Sequence, residues 1–245
     1  MIVLRNVSLR LKGAQVLRNI NLEIPPDGVF GLIGPGASGK SVLFKVMTGL
    51  LRPDEGEVYI DGDCLTGLGD IELGPIRQKI GMLFQNYALF DHMSVYENIA
   101  FPLRRLFNYE EQQIAQIVAE RLHRVSLPGF QDRFPPGLSG GQKKRVGIAR
   151  ATAQRAPIIL YDEPTAGLDP VNSQKIYDLV RDEQRAQRTT AVVISSDVAG
   201  LLTVADHVAM MHRGELLFAG TTAHAQRSGI AAVNQFVHGL TEGPL

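Results

Sequence analysis

The octapeptide Gly34-Pro35-Gly36-Ala37-Ser38-Gly39-Lys40-Ser41 constrains this 245-residue chain more than any other stretch. It fits G-x-x-x-x-G-K-[ST], the phosphate-binding loop pattern. Such a loop turns backbone N–H groups inward onto an anion, and the helix that follows adds the partial positive charge of its N-terminus. The chemistry therefore needs a strand before the loop and a helix after it. Val29-Phe30-Gly31-Leu32-Ile33 reads as a short buried strand, and Val42-Leu43-Phe44-Lys45-Val46-Met47 as a helix with one packed face. In this arrangement Lys40 reaches the β- and γ-phosphates of a nucleoside triphosphate, and the Ser41 hydroxyl ligates Mg²⁺. Gly34, Pro35, Gly36, Ala37, Ser38, Gly39 and Val42 complete the cradle. Loops of this kind often carry glycine where Ala37 stands, which predicts a slightly shifted loop backbone.

Around the loop the chain keeps a strand–helix rhythm. Residues 2–11 and 16–24 alternate apolar and polar positions and read as two strands joined around Lys12-Gly13. Residues 57–60 and 80–84 read as further strands, the second ending at Gln85, with a loop and short helix over 67–78 between them. The middle is helical. Ser94 can N-cap a helix, with Glu97 three residues on completing a capping box. Residues 109–125 carry Ile114, Ile117, Val118, Leu122 and Val125 at helical spacing. From residue 156 onward, strands at 158–161 and 191–194 alternate with helices at 171–187 and 197–204, before a hairpin about His212-Arg213-Gly214. This pattern predicts an α/β fold with a mostly parallel sheet wrapped by helices.

Lysine plus arginine equals aspartate plus glutamate, 25 each, so charge gives no case for nucleic acid as a partner. The lone cysteine, Cys64, leaves no internal disulfide framework and suits a reducing compartment. The N-terminus lacks the apolar core of a signal peptide, and no run approaches the roughly 18 apolar residues of a membrane span. The expectation is a cytoplasmic chain able to dock on a membrane protein.

Two further constellations handle phosphate. In Ile158-Ile159-Leu160-Tyr161-Asp162-Glu163, four apolar residues end in two acids at the carboxyl edge of a strand. Asp162 is placed to hold Mg²⁺ beside Ser41, and Glu163 to polarise an attacking water as general base. In Leu138-Ser139-Gly140-Gly141-Gln142, Ser139 is a good N-cap. Two glycines at that helix start let phosphate approach the backbone.

With these residues in one chain, the sequence resembles the nucleotide-binding subunit of an ATP-binding-cassette (ABC) transporter along essentially its whole length. The matching pieces are the phosphate loop, Gln85 (the Q-loop glutamine), the 138–142 signature, Asp162-Glu163, and Ala166-Gly167-Leu168-Asp169 (the D-loop). The resemblance implies one nucleotide-binding domain over 1–245. It would be a P-loop NTPase cassette with an antiparallel β subdomain and a helical signature subdomain of about 86–156. It implies ATP and Mg²⁺ as cofactors, with Ser41, Asp162 and Gln85 around the metal. It also implies a homodimer in which Ser139, Gly140, Gly141 and Gln142 face the γ-phosphate bound by the partner chain. Two positions depart from the family. Ser196, in Ile194-Ser195-Ser196-Asp197, stands where a histidine usually contacts the γ-phosphate, which predicts slow turnover. Leu11 stands where an aromatic residue commonly stacks on adenine, leaving Val16 to give apolar contact.

The phrases Ala88-Leu89-Phe90-Asp91 and 97–104, and the tail 234–245, are similar to Mla-type ATPases. That resemblance implies an MlaE-like permease and an MCE-domain protein as partners, phospholipid as cargo, and a peripheral place on the cytoplasmic side of the bacterial inner membrane. Two other readings stay open: an ABC ATPase serving a different substrate, and a regulatory nucleotide-binding module whose hydrolysis is impaired at Ser196.

Overall fold

The computed structural model describes all 245 residues. Strands β1 (Ile2–Leu11) and β2 (Ala14–Ile24) form the opening hairpin. Its two turn residues, Lys12 and Gly13, both have positive φ, as the tightest hairpin turns demand. Then come β3 (Gly28–Ile33), the phosphate loop, α1 (Lys40–Met47), β4 (Glu55–Ile60), β5 (Asp63–Cys64), α2 (Asp70–Arg77) and β6 (Ile80–Leu83). Three helices follow, α3 (Val95–Leu106), α4 (Glu111–Arg124) and α5 (Gly140–Ala153). The chain continues through β7 (Ile158–Asp162), α6 (Pro170–Gln187), β8 (Thr190–Ile194), α7 (Val198–Val204), β9 (His207–His212) and β10 (Glu215–Thr221). It closes with α8 (Thr222–Gln226) and α9 (Ala231–His238).

The strands form two sheets. One is antiparallel, in the order β2-β1-β4-β5; the other has the order β10-β9-β3-β8-β7-β6. In the larger sheet all neighbours are parallel except the β9–β10 edge pair. Its register decides where chemistry can occur. Leu32 and Asp162 both lie opposite Ile194, so β3, β7 and β8 end at nearly one level, while β9, with Met210 opposite Ile33, runs on to His212. The loops after β3, β7 and β8 therefore leave from one edge, the carboxyl edge where open α/β sheets bind ligands.

The pleat sorts the side chains of this sheet onto two faces. Ile159, Tyr161, Ala191 and Val193 join the apolar cluster made with α3 to α6. Ile158, Leu160, Val192 and Ile194 join the cluster made with α1 and the antiparallel sheet. With a side-chain period of two, Asp162 continues the face of Ile158 and Leu160 and is aimed toward α1. Ser195 continues the opposite face and meets Tyr177 of α6.

The helices α3, α4 and α5 pack on one another, and α5 joins them to the sheet by lying against β6. Glycine makes that approach possible. A Cβ on Gly81 would sit 2.1 Å from the Ala151 carbonyl oxygen, and one on Gly147 would sit 2.5 Å from Leu83. A second tie is electrostatic. Glu183 of α6 is buried and accepts from Arg121 at 2.9 Å, from Arg124, and from Gln187 at 2.8 Å. The whole chain contains no helix long and apolar enough to cross a membrane.

The elements differ from the sequence expectation at their ends. Ser94 caps α3 as expected and accepts from the Glu97 amide at 3.2 Å. The Glu97 carboxylate does not complete the box; it lies 3.6 Å from Arg104, about two helical turns along the same face, where a full charge is a better partner than a backbone amide. Helix α4 starts at Glu111 rather than 109 because Glu110 and Gln113 form a box there. The closing helices α8 and α9 were not anticipated.

Removing Glu183 strands a buried guanidinium, although Glu120 still holds one of its nitrogens at 2.6 Å. Glu183→Ala is expected to destabilise the chain by about 3 kcal/mol in urea unfolding, and an unchanged midpoint would show that the pair is dispensable.

Candidate functional site

The phosphate loop is shaped by what lies behind it. At Gly34 φ is 142°, and a Cβ there would approach the Met211 carbonyl oxygen to 2.1 Å, so β9 leaves room for glycine only. Ala37 adopts φ 60°, a left-handed conformation that costs a residue with a Cβ roughly 1 kcal/mol. That is the physical reason glycine is common at this place, and the octapeptide folds into the loop despite the alanine. The loop is anchored through the Ser38 carbonyl, which accepts from Gly214 at 3.1 Å, while Arg18 donates to the Gly214 carbonyl at 2.8 Å. Gly39 caps α1 with φ 104° and offers no side-chain acceptor, so the first N–H groups of α1 are left for a ligand.

Lys40 is buried, and its Nζ donates to the carbonyls of Gly34 at 2.7 Å and Pro35 at 2.9 Å. Burial lowers its pKa, against the opposing pull of Glu163 and then Asp162. The loop's own backbone thus satisfies two of the ammonium's three donors. Val16 and Leu11 are half-buried at the edge of the same region: the Val16 carbonyl backs Gly39 and Gly214, and Leu11 packs on the cluster around α1.

The paired acids have opposite environments. Asp162 is buried, and its Oδ1 has no hydrogen-bond partner at all. Burial and the neighbouring Glu163 push its carboxyl pKa up, while Lys45 and Lys40 pull it down. A buried carboxylate oxygen without a donor, facing a helix that starts with Lys40 and the exposed Ser41 hydroxyl, is suited to a hard cation such as Mg²⁺. Glu163 has φ 49°, an uncommon conformation for a residue with a side chain. Its amide donates to the Ile194 carbonyl at 2.9 Å, and its Oε2 accepts from the Ser196 amide at 3.1 Å and the Ser196 hydroxyl at 2.9 Å. The structure thus joins Glu163 directly to Ser196.

The 138–142 segment lies apart from the phosphate loop. Ser139 caps α5, accepting from the Gln142 amide at 3.3 Å, while Gln142 Oε1 accepts from the Ser139 amide at 2.9 Å. A Cβ on Gly140 would meet nothing within 4 Å, and one on Gly141 only Leu168 at 4.0 Å, so this helix start is open. No hydrogen bond links it to residues 34–42. Gln85 is exposed, its side chain makes no hydrogen bond, and none joins it to Ser41 or Asp162.

Several contributors have no local sequence signature. Tyr177 accepts or donates to Ser195 Oγ at 2.8 Å and Thr165 Oγ1 at 3.1 Å, and donates to the Asp197 carbonyl at 3.2 Å. It ties the loops on either side of Glu163 and Ser196 together beneath the site. Arg150 of α5 donates to the carbonyls of Tyr87 and Ala88, the latter at 2.7 Å, holding two consecutive left-handed residues just after Gln85. Burial lowers its pKa to about 10. In the sequence Tyr177 reads as ordinary helix packing and Arg150 as a surface base, because their partners are remote in the chain.

A loop for phosphate at the end of β3, with a buried acid and a strained glutamate at the end of β7 one strand removed, fits a triphosphate-hydrolysing domain. Residues 17–166 match the ABC transporter family; the chain belongs to it, as an ATP-binding and ATP-hydrolysing subunit of an ABC transporter. The intermembrane phospholipid transport system ATP-binding protein MlaF of Haemophilus influenzae is 34% identical over 245 residues, covering 100% of this chain and 93% of that protein. A probable ribonucleotide transport ATP-binding protein, mkl of Mycobacterium leprae, is 37% identical over 246 residues, covering 98% of this chain and 71% of that one. The solved ATP-binding cassette MJ0796, a dimer in a post-hydrolysis state with ADP and Pi, superposes with a TM-score of 0.84 at 33% identity, covering 91% of this chain and 99% of that one.

The raised Asp162 pKa has a definite sign. An acid whose folded pKa exceeds its unfolded one makes the fold less stable as pH rises through that interval, so ionised Asp162 destabilises the free chain at pH 7. Asp162→Asn is expected to raise the melting temperature without nucleotide and to lose the extra stabilisation by ATP that depends on Mg²⁺; thermal melts with and without Mg²⁺-ATP measure both. Ser196→His is expected to increase kcat for ATP. Ser196→Ala, which keeps the amide donor to Glu163 but removes the hydroxyl, is expected to lower kcat about tenfold, the equivalent of one hydrogen bond to a carboxylate of about 1.5 kcal/mol. Equal rates for the serine and histidine proteins would show that Ser196 is no handicap.

Proposed function

We propose that this chain drives phospholipid transport across the bacterial envelope as the peripheral ATPase of an MlaE-like permease, with an MCE-domain protein in the same assembly. The observation that carries the substrate is the end-to-end match to MlaF, in which neither protein has a substantial segment without a counterpart. A groove of about 330 Å³ supports a permease partner: it lies beside the edge strand β6 and is lined by Phe84, Ala88, Phe90, Phe101 and Arg150. Ala88, Phe90 and Phe101 belong to the phrases that are similar to Mla-type ATPases.

In this reading ATP binds through the backbone of residues 34–39, with Lys40 leaving the Gly34 and Pro35 carbonyls to take the β- and γ-phosphates. Val42 sits in the first turn of α1, and Leu11 and Val16 flank the base. Ser41 and Asp162 would hold Mg²⁺, with Gln85 as the further candidate ligand, and the ion would supply neutralisation of phosphate charge. Two copies pair so that Ser139, Gly140, Gly141 and Gln142 of one complete the γ-phosphate site of the other; the open helix start and the dimeric MJ0796 structure favour this. Glu163, oriented by the two donors of Ser196, accepts a proton from the attacking water. Gln85, at the turn clamped by Arg150, connects the nucleotide site to the permease groove. ATP binding energy favours the paired state, and hydrolysis releases it.

The second reading keeps the ATPase and changes the cargo, favoured by the identity to the ribonucleotide transport protein. Affinity isolation of the full chain from gently solubilised membranes, with mass spectrometry of proteins and lipids, separates the two. Co-purification of an MlaE-like permease, an MCE-domain protein and phospholipid is expected. Recovery of an unrelated permease would overturn the phospholipid assignment and leave the ATPase mechanism standing.

A further inference from the structure

Lys144 is an unusual residue for the core of this cassette. It lies on α5, is only 1% exposed, and faces no carboxylate within ion-pair distance. Its Nζ makes one hydrogen bond, to the carbonyl of Ala166 in the D-loop, and lies 5.9 Å from the centre of the Tyr87 ring in the turn after Gln85. An ammonium has three donors and a large desolvation cost, so a residue needed only to fill this space would be met more cheaply by an apolar side chain. The position is also where three functional segments converge: the signature helix that carries Lys144, the turn that follows Gln85, and the loop that follows Glu163.

That last loop needs an anchor. Glu163 is held at φ 49°, and such conformations persist only where the surroundings over-determine them. One end of the turn is fixed by the Glu163 amide on the Ile194 carbonyl. The turn closes through the Ala166 amide on the Glu163 carbonyl at 3.2 Å, and the Ala166 carbonyl is the atom that Lys144 grips. We propose that Lys144 is a positioning residue for ATP hydrolysis, its ammonium fixing the far end of the Glu163 turn and tying it to the signature helix and to Tyr87. This rests on the reading of Glu163 as the group that accepts the water's proton.

The titratable groups facing Lys144 are Glu163 after β7 and Tyr87 after β6; on its own helix Arg145 is engaged with the Val125 carbonyl at 2.9 Å. Burial pushes the Lys144 ammonium down to about 8, with Glu163 opposing that shift. The charged form, present below that value, is the one that grips Ala166 through a charge-assisted bond. Turnover is therefore expected to fall as pH rises through about 8.

The test is steady-state ATP hydrolysis by the full chain and by its Lys144→Met and Lys144→Arg variants, over about pH 6.5 to 9.5, with thermal melts of each. Lys144→Met is expected to lose about tenfold or more in kcat with KM for ATP changed less than about twofold, because the turn is displaced and the phosphate loop is untouched. Lys144→Arg, which stays charged throughout this range, is expected to recover most of the rate and to lose the alkaline decline. A Lys144→Met protein with the parental kcat and pH profile would overturn the proposal. So would an Arg variant that folds like the parent, leaves the rate as low as Met does and keeps the decline. Glu163→Gln is measured in parallel: if it hydrolyses ATP at the parental rate, the Glu163 reading fails, whatever Lys144 does.

Discussion

Everything in this cassette depends on the flush carboxyl edge of its parallel sheet. Leu32, Asp162 and Ile194 share one level of the ladder, so three loops that are far apart in sequence leave at the same height. The pleat then decides direction. Asp162 goes toward the helix of the phosphate loop, and Ser195 goes down onto Tyr177. A register slip of one residue in β7 would reverse the two faces, burying the acid among α3 to α6 and pointing Tyr161 at the nucleotide. Both strands are buried on both faces over all five residues, so the cost of such a slip lies in setting the Asp162 carboxylate against the apolar helices.

The site built on that edge is electrostatically unfinished. Lys40 turns onto backbone carbonyls, Asp162 leaves an oxygen without a donor, and Ala37 and Glu163 sit in left-handed conformations. All of these features lie where the proposed triphosphate and hard cation would bind. Lys40, Asp162 and Lys144 all have pKa values shifted by burial, in the direction that disfavours their charges. The charges to which the proposed mechanism gives roles are thus held in a place that penalises them, as expected of groups arranged for an anionic ligand rather than for the fold.

Local chemistry was legible in the sequence, and remote geometry was not. Residues 34–41 announce both a conformation and a ligand because the glycines and the lysine act within eight positions. The N-cap at Ser139 could be read in the same way, as could the apolar run ending at Asp162. The Glu97 reading failed because a capping box competes with any nearby arginine, and Arg104 lies on the same helix face. The Tyr177 network, the Arg150 clamp and the buried Lys144 could not be read at all. Their partners lie in other elements, and each of these residues taken alone fits ordinary helix packing. Ser196 was singled out for what it replaces, whereas its two hydrogen bonds to Glu163 appear only when β7 and β8 are laid side by side.

Helix α5 has a consequence as a mechanical part. It spans 14 residues, about 21 Å from end to end. The signature cap at Ser139 stands at one end, Arg150 with its grip on the turn after Gln85 stands near the other, and Gly147 rests on Leu83 close to the midpoint. Ala151 presses on Gly81 one turn further along, so the C-terminal half of the rod is seated on β6 and the signature end projects from it. A tilt of about 10° about Gly147 would carry the Ser139 end about 2 Å and Arg150 less than about 1 Å the other way. The rod therefore has unequal arms, and a displacement at the helix start would arrive at the turn after Gln85 reversed and reduced.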